Sequence, residues 1–123
     1  MENCIFCNLS NEKILIENEL ALAFYDEFPV SKGHILIIPK RHIANFFELD
    51  SKELSSINLL MLQCKKIIDD KYFADGYNIG VNVGEYAGQS VFHVHVHLIP
   101  RYKGDVANPK GVVRGVIPEK QNY

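Results

Sequence analysis

A histidine at every second position, from His93 through His95 to His97, constrains the fold of this chain more than any other feature. Side chains alternate between the two faces of a β-strand, so a strand here places all three imidazoles on one face and apolar residues on the other. Same-face neighbours lie about 6 to 7 Å apart, close enough for one substrate group to contact two of them. Three adjacent imidazoles pack poorly as a core, so we predict a strand that presents them for chemistry or for metal binding.

Length, charge and cysteine count exclude several classes of protein. The 123 residues fit one domain, whose folding buries roughly two thirds of the surface of the extended chain. No apolar run approaches the roughly 20 residues that span a bilayer, and Met1 is followed by Glu2 and Asn3 rather than by a basic and apolar leader. The net charge of −2 disfavours bulk binding of nucleic acid. We therefore expect a cytoplasmic protein with no membrane partner, and three cysteines, an odd count, fit a reducing compartment.

Hydrophobic periodicity predicts an α+β fold with an antiparallel sheet. Strands are predicted over residues 13–17, 20–25, 34–38 and 77–83. Asp50 and Glu53 form the pattern of a capping box, and a helix is predicted from there to about residue 71. Its apolar stripe recurs at three- and four-residue spacing and is expected to pack on the sheet: Leu54, Ile57, Met61, Cys64 and Ile68. Cys64 is interpreted as a small core residue.

A glycine-bearing loop runs directly into the histidine strand. Within it, Gly88 allows close backbone approach to a ligand, Gln89 can donate an amide N–H, and Ser90 can donate a hydroxyl. Such a triplet alone is an ordinary turn. Next to three histidines that share one face, it becomes a candidate cradle for phosphate oxygens, because preorganised donors stabilise developing negative charge.

Two functional interpretations of the histidines remain open at this point. A neutral imidazole is a good nucleophile toward phosphorus and can leave again, which permits a two-step displacement through a phosphohistidine. His95 is the best placed for this role, since it has a histidine on each side to orient it or to donate protons. Alternatively, neutral imidazole is the commonest metal ligand, and His-x-His on a strand can direct two nitrogens to one ion.

The histidine strand and its flanks resemble the signature of the histidine triad (HIT) family of nucleotide hydrolases and transferases. The likeness extends to motifs at residues 5–7, 22–26, 32–39, 82–84 and 88–90. It implies a HIT-like α+β fold with an antiparallel five-stranded sheet, one long helix and a short helix. We expect one domain over residues 1–123, with a core at 4–101 and a C-terminal tail at 102–123. Family members are typically homodimers that share a ten-stranded sheet, so we also expect a homodimer.

The resemblance implies a role for each matching residue. His95 is expected to attack the α-phosphorus of an adenosine-type nucleotide, His97 to bind a non-bridging oxygen, and His34 to support or orient the triad. The nucleoside pocket is expected to have an apolar wall and a ribose-binding carboxylate, formed by Phe6, Leu22, Phe24 and Asp26. Asn82 is expected to hold phosphate or ribose, and Gln89 and Ser90 to contact the phosphates or the leaving group. For Phe6 and Phe24 the alternative is an ordinary aromatic core, and for Asp26 it is a role in the turn that follows.

The Cys4-x-x-Cys7 pair matches the zinc-binding subset of this family. Taken alone, the spacing fits a redox pair, half of a zinc site or chance. The resemblance implies that His42 and His93 complete a Cys₂His₂ tetrahedron around Zn²⁺. With all four positions filled by protein, the zinc would be structural and not catalytic. The alternative is that Cys4 and Cys7 are free thiols. If His93 binds zinc, His95 and His97 remain for catalysis.

The C-terminal tail departs from the best-known branches of the family. Residues 101–123 carry five Lys or Arg against two acidic residues, which suits a phosphate-rich small ligand and equally suits a solvated tail. Arg114 has glycine and apolar neighbours. We expect it to reach a phosphate, in its own or the partner subunit's site, with a plain surface arginine as the alternative.

The sequence after the triad, residues 99–105, is closer to the dinucleoside polyphosphate hydrolase branch than to the phosphoramidase branch. The expected function is therefore cleavage of adenosine dinucleoside polyphosphates or related nucleotide conjugates at the α-phosphate, through a nucleotidyl-histidine intermediate. Four alternatives stay open. Two are enzymatic, namely cleavage of adenosine phosphoramidates and nucleotidyl transfer to phosphate. The other two are nucleotide binding without turnover, and zinc binding as the main role of the histidines and cysteines.

Overall fold

The computed structural model describes residues 1–123 and contains one antiparallel sheet of five strands with one α-helix packed on it. In chain order the elements are β1 (Ile14–Glu17), β2 (Ala21–Tyr25), β3 (Ile35–Pro39), α1 (Ser51–Tyr72), β4 (Gly76–Val81) and β5 (Val96–Arg101). The strand order across the sheet is β1-β2-β3-β5-β4, so β1 and β4 form its edges. This architecture confirms the expected α+β fold.

The other helical segments are short 3₁₀ helices. They span Asn11–Lys13, Phe46–Glu48, Glu85–Ala87, Val112–Val116 and Pro118–Lys120. The second, short helix expected from the resemblance is therefore present only in 3₁₀ form. None of the helices combines the length and the apolarity that crossing a bilayer requires.

Alternation along the central strands separates two apolar layers. β2 and β3 pair with Leu22 opposite Ile38 and Phe24 opposite Leu36, and these side chains pack together with Phe6. The larger core, of thirteen buried residues, is formed by α1 together with the other face of the sheet. The helix thus covers one face of the sheet and the N-terminal segment covers the other.

α1 begins at the expected capping box and buries a face slightly different from the predicted one. The Asp50 carboxylate accepts the backbone N–H of Glu53, and the Glu53 carboxylate accepts the backbone N–H of Asp50. Leu54, predicted on the buried stripe, is 39% exposed, whereas Leu60 is fully buried. Successive helical residues are rotated by about 100°, so a face centred on Glu53 leaves Leu54 at its rim. The buried positions are Glu53, Ile57, Leu60, Cys64 and Ile68.

Cys64 is the core residue that the sequence predicts. It is fully buried in the larger core, and burial raises the pKa of its thiol to about 12. A thiol with so high a pKa carries almost no thiolate near pH 7, so it is a poor nucleophile.

The histidine strand is shorter than the sequence predicts. β5 begins at Val96, so only His97 lies in a strand, while His93 lies in a bend and His95 in the irregular segment between that bend and β5. Val96 is where pairing with both β3 and β4 stops, and the Val94 N–H donates instead to a loop carbonyl, that of Ile43, over 2.7 Å. The alternation nevertheless continues, because Val94 and Val96 belong to the larger core while the rings of His93 and His95 lie against Phe6.

Candidate active site and metal centre

A cavity of about 1010 Å³ lies between the histidine face of the sheet and the N-terminal segment. His95 and His97 line it, and Phe6, Phe24 and Leu36 contribute apolar wall. This volume is at the upper end of the range of small-molecule sites. It has room for a ligand of nucleotide size together with a leaving group, directly beside two imidazoles.

His95 has one ring nitrogen engaged and the other free. Its Nδ1–H donates to the main-chain carbonyl of His93 over 2.9 Å. A carbonyl only accepts, so Nδ1 carries the proton and Nε2 of the neutral ring carries the lone pair. The ring is flanked by those of Phe6 and His97, with centroids 5.1 Å and 5.3 Å away. The imidazole is therefore held in one orientation, with a lone pair available to a ligand in the cavity.

His97 is oriented through His34. The Val30 N–H donates to Nδ1 of His34 over 3.1 Å, so the neutral His34 ring has its proton on Nε2. That nitrogen lies 2.9 Å from Nδ1 of His97, which leaves His97 with its own proton on Nε2. Burial lowers the pKa of both histidines, and for His97 the neighbouring histidines lower it further. Both rings are therefore neutral near pH 7, and His97 offers an N–H donor.

Asp26 combines a turn-forming role with a place in the cavity wall. Its Oδ1 accepts the backbone N–H of Phe28 over 2.9 Å, which is the turn contact that the sequence also allowed. Its Oδ2 lies 3.4 Å from Nε2 of His34, and this carboxylate opposes the effect of burial on the pKa of His34. The side chain also lines the cavity, so the carboxylate is accessible to a ligand while it supports the loop.

Gly33 fixes the turn that places His34 directly before β3. Its φ of 89° lies in the left-handed region, and a Cβ at this position would come within 2.9 Å of the Tyr72 ring. Glycine avoids both the backbone strain and the clash with the last residue of α1. The close approach of this loop to the helix keeps His34 in line with His97.

Two of the three apolar residues expected to contact the base line the cavity. Phe6 and Phe24 are buried, their ring centroids lie 5.4 Å apart, and both line the cavity. Leu22 packs against the same cluster but does not line the cavity. Leu36, which the sequence analysis did not single out, lines it beside Phe24. Period-two alternation from His34 along β3 was the signal that could have identified Leu36.

The predicted phosphate loop is only partly exposed to the cavity. Ser90 lines it, but the Gln89 side chain is buried, with its Oε1 accepting the Gly84 N–H over 2.9 Å and its Nε2 donating to the Ala44 carbonyl over 2.9 Å. Asn82 does not line the cavity, and its amide packs near Gly88. The Gln89 amide therefore holds the loop in shape in this structure, and Ser90 is the member of the triplet that a ligand can reach.

Arg114 lies in the tail and away from the histidine cavity. Its Nε donates to the Lys120 carbonyl over 3.0 Å, and its guanidinium lies 4.8 Å from the ring centroid of Tyr123. Arg114 is not among the residues that line the cavity. Within one chain, these contacts fold the tail back on itself.

Two oppositely charged residues that were not predicted as site residues also line the cavity. Lys13 and Glu27 form an ion pair there, and both side chains are more than half exposed. Nothing in the sequence distinguishes them from ordinary surface residues, because they are brought together by the pairing of β1 with β2. They place one charge of each sign at the mouth of the cavity.

Cys4, Cys7, His42 and His93 meet at one point, as the resemblance implied, with their ligand atoms all within 4.8 Å of one another. The Sγ of Cys7 lies 3.2 Å from Nδ1 of His42 and 3.5 Å from Nδ1 of His93. The Sγ of Cys4 lies 3.5 Å from the same Nδ1 of His93. Ligands of a tetrahedral Zn²⁺ at their usual bond lengths are separated by about 3.3 to 3.8 Å. The spacing of this cluster, which we call the Cys₂His₂ cluster, therefore fits zinc.

The chemistry of the donors fits a metal as well. Nε2–H of His93 donates to the Pro39 carbonyl over 2.8 Å, so its Nδ1 carries the lone pair and faces the two thiols. Burial lowers the pKa of His93, which keeps the ring in its neutral, ligating form. Burial and the adjacent Cys4 thiol raise the pKa of Cys7. Two thiols this close ionise readily only when a cation lies between them, which is what a bound metal supplies.

Asp26, His34 and His97 form a second cluster whose ligand atoms lie within 4.8 Å of one another. Here the hydrogen bonds argue against a metal. Nδ1 of His34 accepts the Val30 N–H, so Nε2 carries the proton and directs it to His97. A protonated nitrogen has no lone pair to give, so this cluster is a hydrogen-bond network, whereas the Cys₂His₂ cluster presents an inward lone pair on His93.

Comparison with known proteins gives a consistent result. Residues 9–104 match the HIT domain family. The adenosine 5'-monophosphoramidase of Schizosaccharomyces pombe is 41% identical over 103 residues, which cover 80% of this chain and 74% of that protein. The bis(5'-adenosyl)-triphosphatase of Dictyostelium discoideum is 29% identical over 113 residues, which cover 92% and 76%. A Zn-bound histidine triad family protein from Mycobacterium smegmatis superposes with a TM-score of 0.78 at 29% identity, covering 88% of this chain and 81% of that one.

Proposed function

The chain belongs to the HIT domain family, and we propose that it hydrolyses adenosine nucleotides at the α-phosphate through a nucleotidyl intermediate on His95. The observation that carries this proposal is the free Nε2 of His95 beside the cavity, with Nδ1 engaged by the His93 carbonyl at 2.9 Å. Both relatives described above carry adenosine in the name of their activity, which supports an adenosine-type substrate.

The proposed reaction has two steps at one phosphorus atom. In the first, the Nε2 lone pair of His95 forms a bond to the α-phosphorus, and the bond to the leaving group breaks with its electron pair. The leaving group takes up a proton from solvent. In the second, a water oxygen attacks the same phosphorus and loses a proton to solvent, the P–N bond breaks with its electron pair returning to Nε2, and the nucleoside monophosphate leaves. The imidazole is cationic in the intermediate, and its Nδ1–H bond to the His93 carbonyl strengthens as that charge develops.

His97 and His34 are assigned supporting roles. His97 would donate its Nε2–H to a non-bridging oxygen, where negative charge grows in the pentacoordinate state. His34 touches His97 through a 2.9 Å hydrogen bond and keeps the proton of His97 on the nitrogen that faces the substrate. In this scheme His34 is a positioning residue and not a catalytic one.

The remaining expected contacts divide into two groups. Phe6 and Phe24 would hold the base, Leu22 would support them from behind, and the Asp26 carboxylate would accept hydrogen bonds from ribose hydroxyls. The polar members act on the phosphate side. Ser90 would donate its hydroxyl to the phosphate or to the leaving group, whereas Gln89 and Asn82 would act by fixing the loop that carries Ser90.

Adenosine dinucleoside polyphosphates are the substrates that the residues after the triad favour, and adenosine phosphoramidates are the second candidate. The phosphoramidase of Schizosaccharomyces pombe is the more similar of the two relatives described, at 41% identity against 29%, and this observation supports the second candidate. A side-by-side measurement of kcat/KM on diadenosine polyphosphates and on an adenosine phosphoramidate decides between them. If the protein turns over neither substrate, nucleotide binding without catalysis remains as the third candidate.

We also propose that the Cys₂His₂ cluster binds one structural Zn²⁺. When bound, zinc would cross-link the N-terminal turn to the loop after β3 and to the segment before β5. It would have no open position for water, so it would take no part in the chemistry at phosphorus. One zinc per chain by metal analysis is the expected result, and three or more would reopen the assignment of the histidines.

We propose that residues 1–123 form a single domain. We also propose that two copies of this domain form a homodimer through β4. β4 is an edge of the sheet, Ile79 on it is 56% exposed, and a groove of about 500 Å³ beside it is lined by valines of the tail, including Val112 and Val116. Pairing of two β4 edges would give the ten-stranded sheet implied by the family. In that dimer Arg114 would reach a phosphate in the partner's site, and light scattering of wild-type and Ile79→Lys protein tests the interface.

A further inference from the structure

We propose that Arg41 is a positioning residue of the Cys₂His₂ cluster. Its ion pair with Glu53 would fix the loop after β3 to the first turn of α1 and so hold the adjacent His42 in position for a metal. This inference rests on the zinc site proposed above. It assigns a role to a residue that touches neither the metal nor the nucleotide.

The contact between Arg41 and Glu53 is bidentate. Nε of Arg41 lies 2.9 Å from Oε2 of Glu53, and Nη2 lies 2.7 Å from Oε1. The Glu53 side chain is 4% exposed, whereas that of Arg41 is 53% exposed. Two parallel hydrogen bonds fix the direction of the guanidinium as well as its distance. The pair therefore restrains the backbone at Arg41 more tightly than a single surface contact does.

The helix cap alone does not account for this pair. The capping box needs only the Asp50 carboxylate and one oxygen of Glu53, which accepts the Asp50 N–H over 3.1 Å. An exposed glutamate serves equally well at that position of a helix. Here the carboxylate is buried, which is costly without a partner, and the partner comes from the loop that carries a metal ligand. The pair thus connects two segments that the cap does not connect.

The loop is anchored on both sides of His42, and Arg41 adds the restraint next to it. The Pro39 carbonyl accepts Nε2–H of His93 over 2.8 Å, and the Ile43 carbonyl accepts the Val94 N–H over 2.7 Å. The His42 ring itself is exposed, and its hydrogen-bond contact is to the Sγ of Cys7 at 3.2 Å. A ligand on an exposed loop depends on the backbone for its position. Without Arg41, the free chain would lose more entropy when the metal binds.

The direct test is the zinc affinity of Arg41→Met in the full chain, measured by competition with a chromophoric chelator. Groups hydrogen-bonded directly to metal ligands typically contribute about 10- to 100-fold in metal affinity, and for Arg41, which acts through the backbone next to His42, we expect a loss at the lower end, about tenfold. Lys40→Met is the neighbouring control, because Lys40 pairs with Glu17 over 2.8 Å on an exposed surface. Tyr77→Phe is the control for general destabilisation, since it removes the hydrogen bond to Asp69 near the other end of α1. Both controls should retain zinc affinity within about twofold.

A second pair of variants keeps the inference testable if Arg41→Met folds poorly. Glu53→Gln retains the shape and the cap but not the charge, and should weaken zinc binding in the same direction. Arg41→Lys, which keeps the charge but cannot donate two parallel hydrogen bonds, should retain only part of the zinc affinity. Wild-type affinity in Arg41→Met, or an equal loss in Tyr77→Phe, overturns the role of Arg41 and leaves the zinc site standing. Failure of the wild-type chain to bind stoichiometric zinc removes the site and the inference together.

Discussion

The main-chain carbonyl of His93 accepts the Nδ1–H of His95 over 2.9 Å, while the ring of the same His93 lies 3.5 Å from the thiols of both Cys4 and Cys7. One residue therefore takes part in the Cys₂His₂ cluster through its side chain and orients the proposed nucleophile through its backbone. We therefore expect a change at the cluster to shift the carbonyl that sets the direction of the His95 ring. The proposed structural site and the proposed reaction are coupled over a single residue.

Removal of the metal should lower kcat as well as stability. Without zinc, the segment at His93 gains freedom and the His95 ring is less often in line, so we expect kcat to fall about tenfold and the melting temperature to fall by several degrees. Cys7→Ser and chelator-treated wild-type protein should behave alike in a steady-state assay with thermal melts. Restoration of kcat by added zinc in the wild type, but not in Cys7→Ser, is expected. A chelated protein with unchanged kcat and melting temperature would show that the coupling is absent.

Substitution of His34 should affect the rate more than substrate binding. Loss of the hydrogen bond to Nδ1 of His97 lets that ring adopt the other tautomer, which turns the donor at the substrate into an acceptor. We expect His34→Ala to lower kcat by about 10- to 100-fold with KM nearly unchanged. His34→Gln, whose amide can donate to the same nitrogen, should retain more of the activity. Equal losses in the two variants would argue against the orienting role.

The folded state should lose stability at acid pH in part because Glu53 becomes protonated. The hydrogen bonds from Arg41 lower the pKa of the Glu53 carboxyl below its ordinary value. A depressed carboxyl pKa contributes stability that is fully present above the unfolded pKa and is lost as the pH falls through the folded pKa. Thermal melts between about pH 6 and pH 3 should therefore show a shallower decline for Glu53→Gln than for wild type.

Asp105 provides a comparison for the same measurement. The hydrogen bonds that Arg101 donates to its carboxylate lower the pKa of Asp105 to about 2, so Asp105→Asn should also flatten the curve, down to about pH 2. The two sites are independent if the effects of the single variants add in the double variant. An unchanged acid decline in Glu53→Gln would contradict the contribution of the Arg41 pair.

The observed face of α1 can be tested with two leucines. Leu60 is fully buried and Leu54 is 39% exposed. Leu60→Ala should therefore cost about 2 to 5 kcal/mol of the free energy of unfolding, through lost burial and the cavity that remains. Leu54→Ala should cost under about 1 kcal/mol. Urea denaturation of both variants gives the comparison, and a larger loss for Leu54→Ala would restore the face predicted from the sequence.

The parts of the structure that the sequence predicted well are those governed by local rules. The capping box at Asp50 needs only two residues three positions apart, and the shared face of His95 and His97 follows from a period of two. The strand boundary at Val96 was missed because it depends on where β3 and β4 stop pairing, which the histidine segment does not contain. Leu60 was missed because periodicity alone left the centre of the helix face uncertain by one position.

In the candidate site, too, the features that depend on contacts between distant segments were the ones not predicted from local sequence patterns. The resemblance placed Cys4, Cys7, His42 and His93 in one metal site, and their ligand atoms lie within 4.8 Å of one another, although their spacing in sequence does not predict a common point. Gln89, expected at a phosphate, has its amide engaged by Gly84 and by Ala44, and the second of these partners is 45 positions away. The Arg41 pair with Glu53 was not predicted at all. Contacts between distant loops follow from the whole fold, and no pattern within either segment reports them.

Covalent catalysis by His95 can be tested by alkaline quench of a single turnover with a diadenosine polyphosphate or an adenosine phosphoramidate, followed by peptide mass spectrometry. We expect one nucleoside monophosphate attached to His95 in the wild type, and neither adduct nor turnover in His95→Ala. His97→Ala should still form the adduct, more slowly. Turnover of wild-type protein with no adduct on His95, or near-parental activity in His95→Ala, would contradict the account.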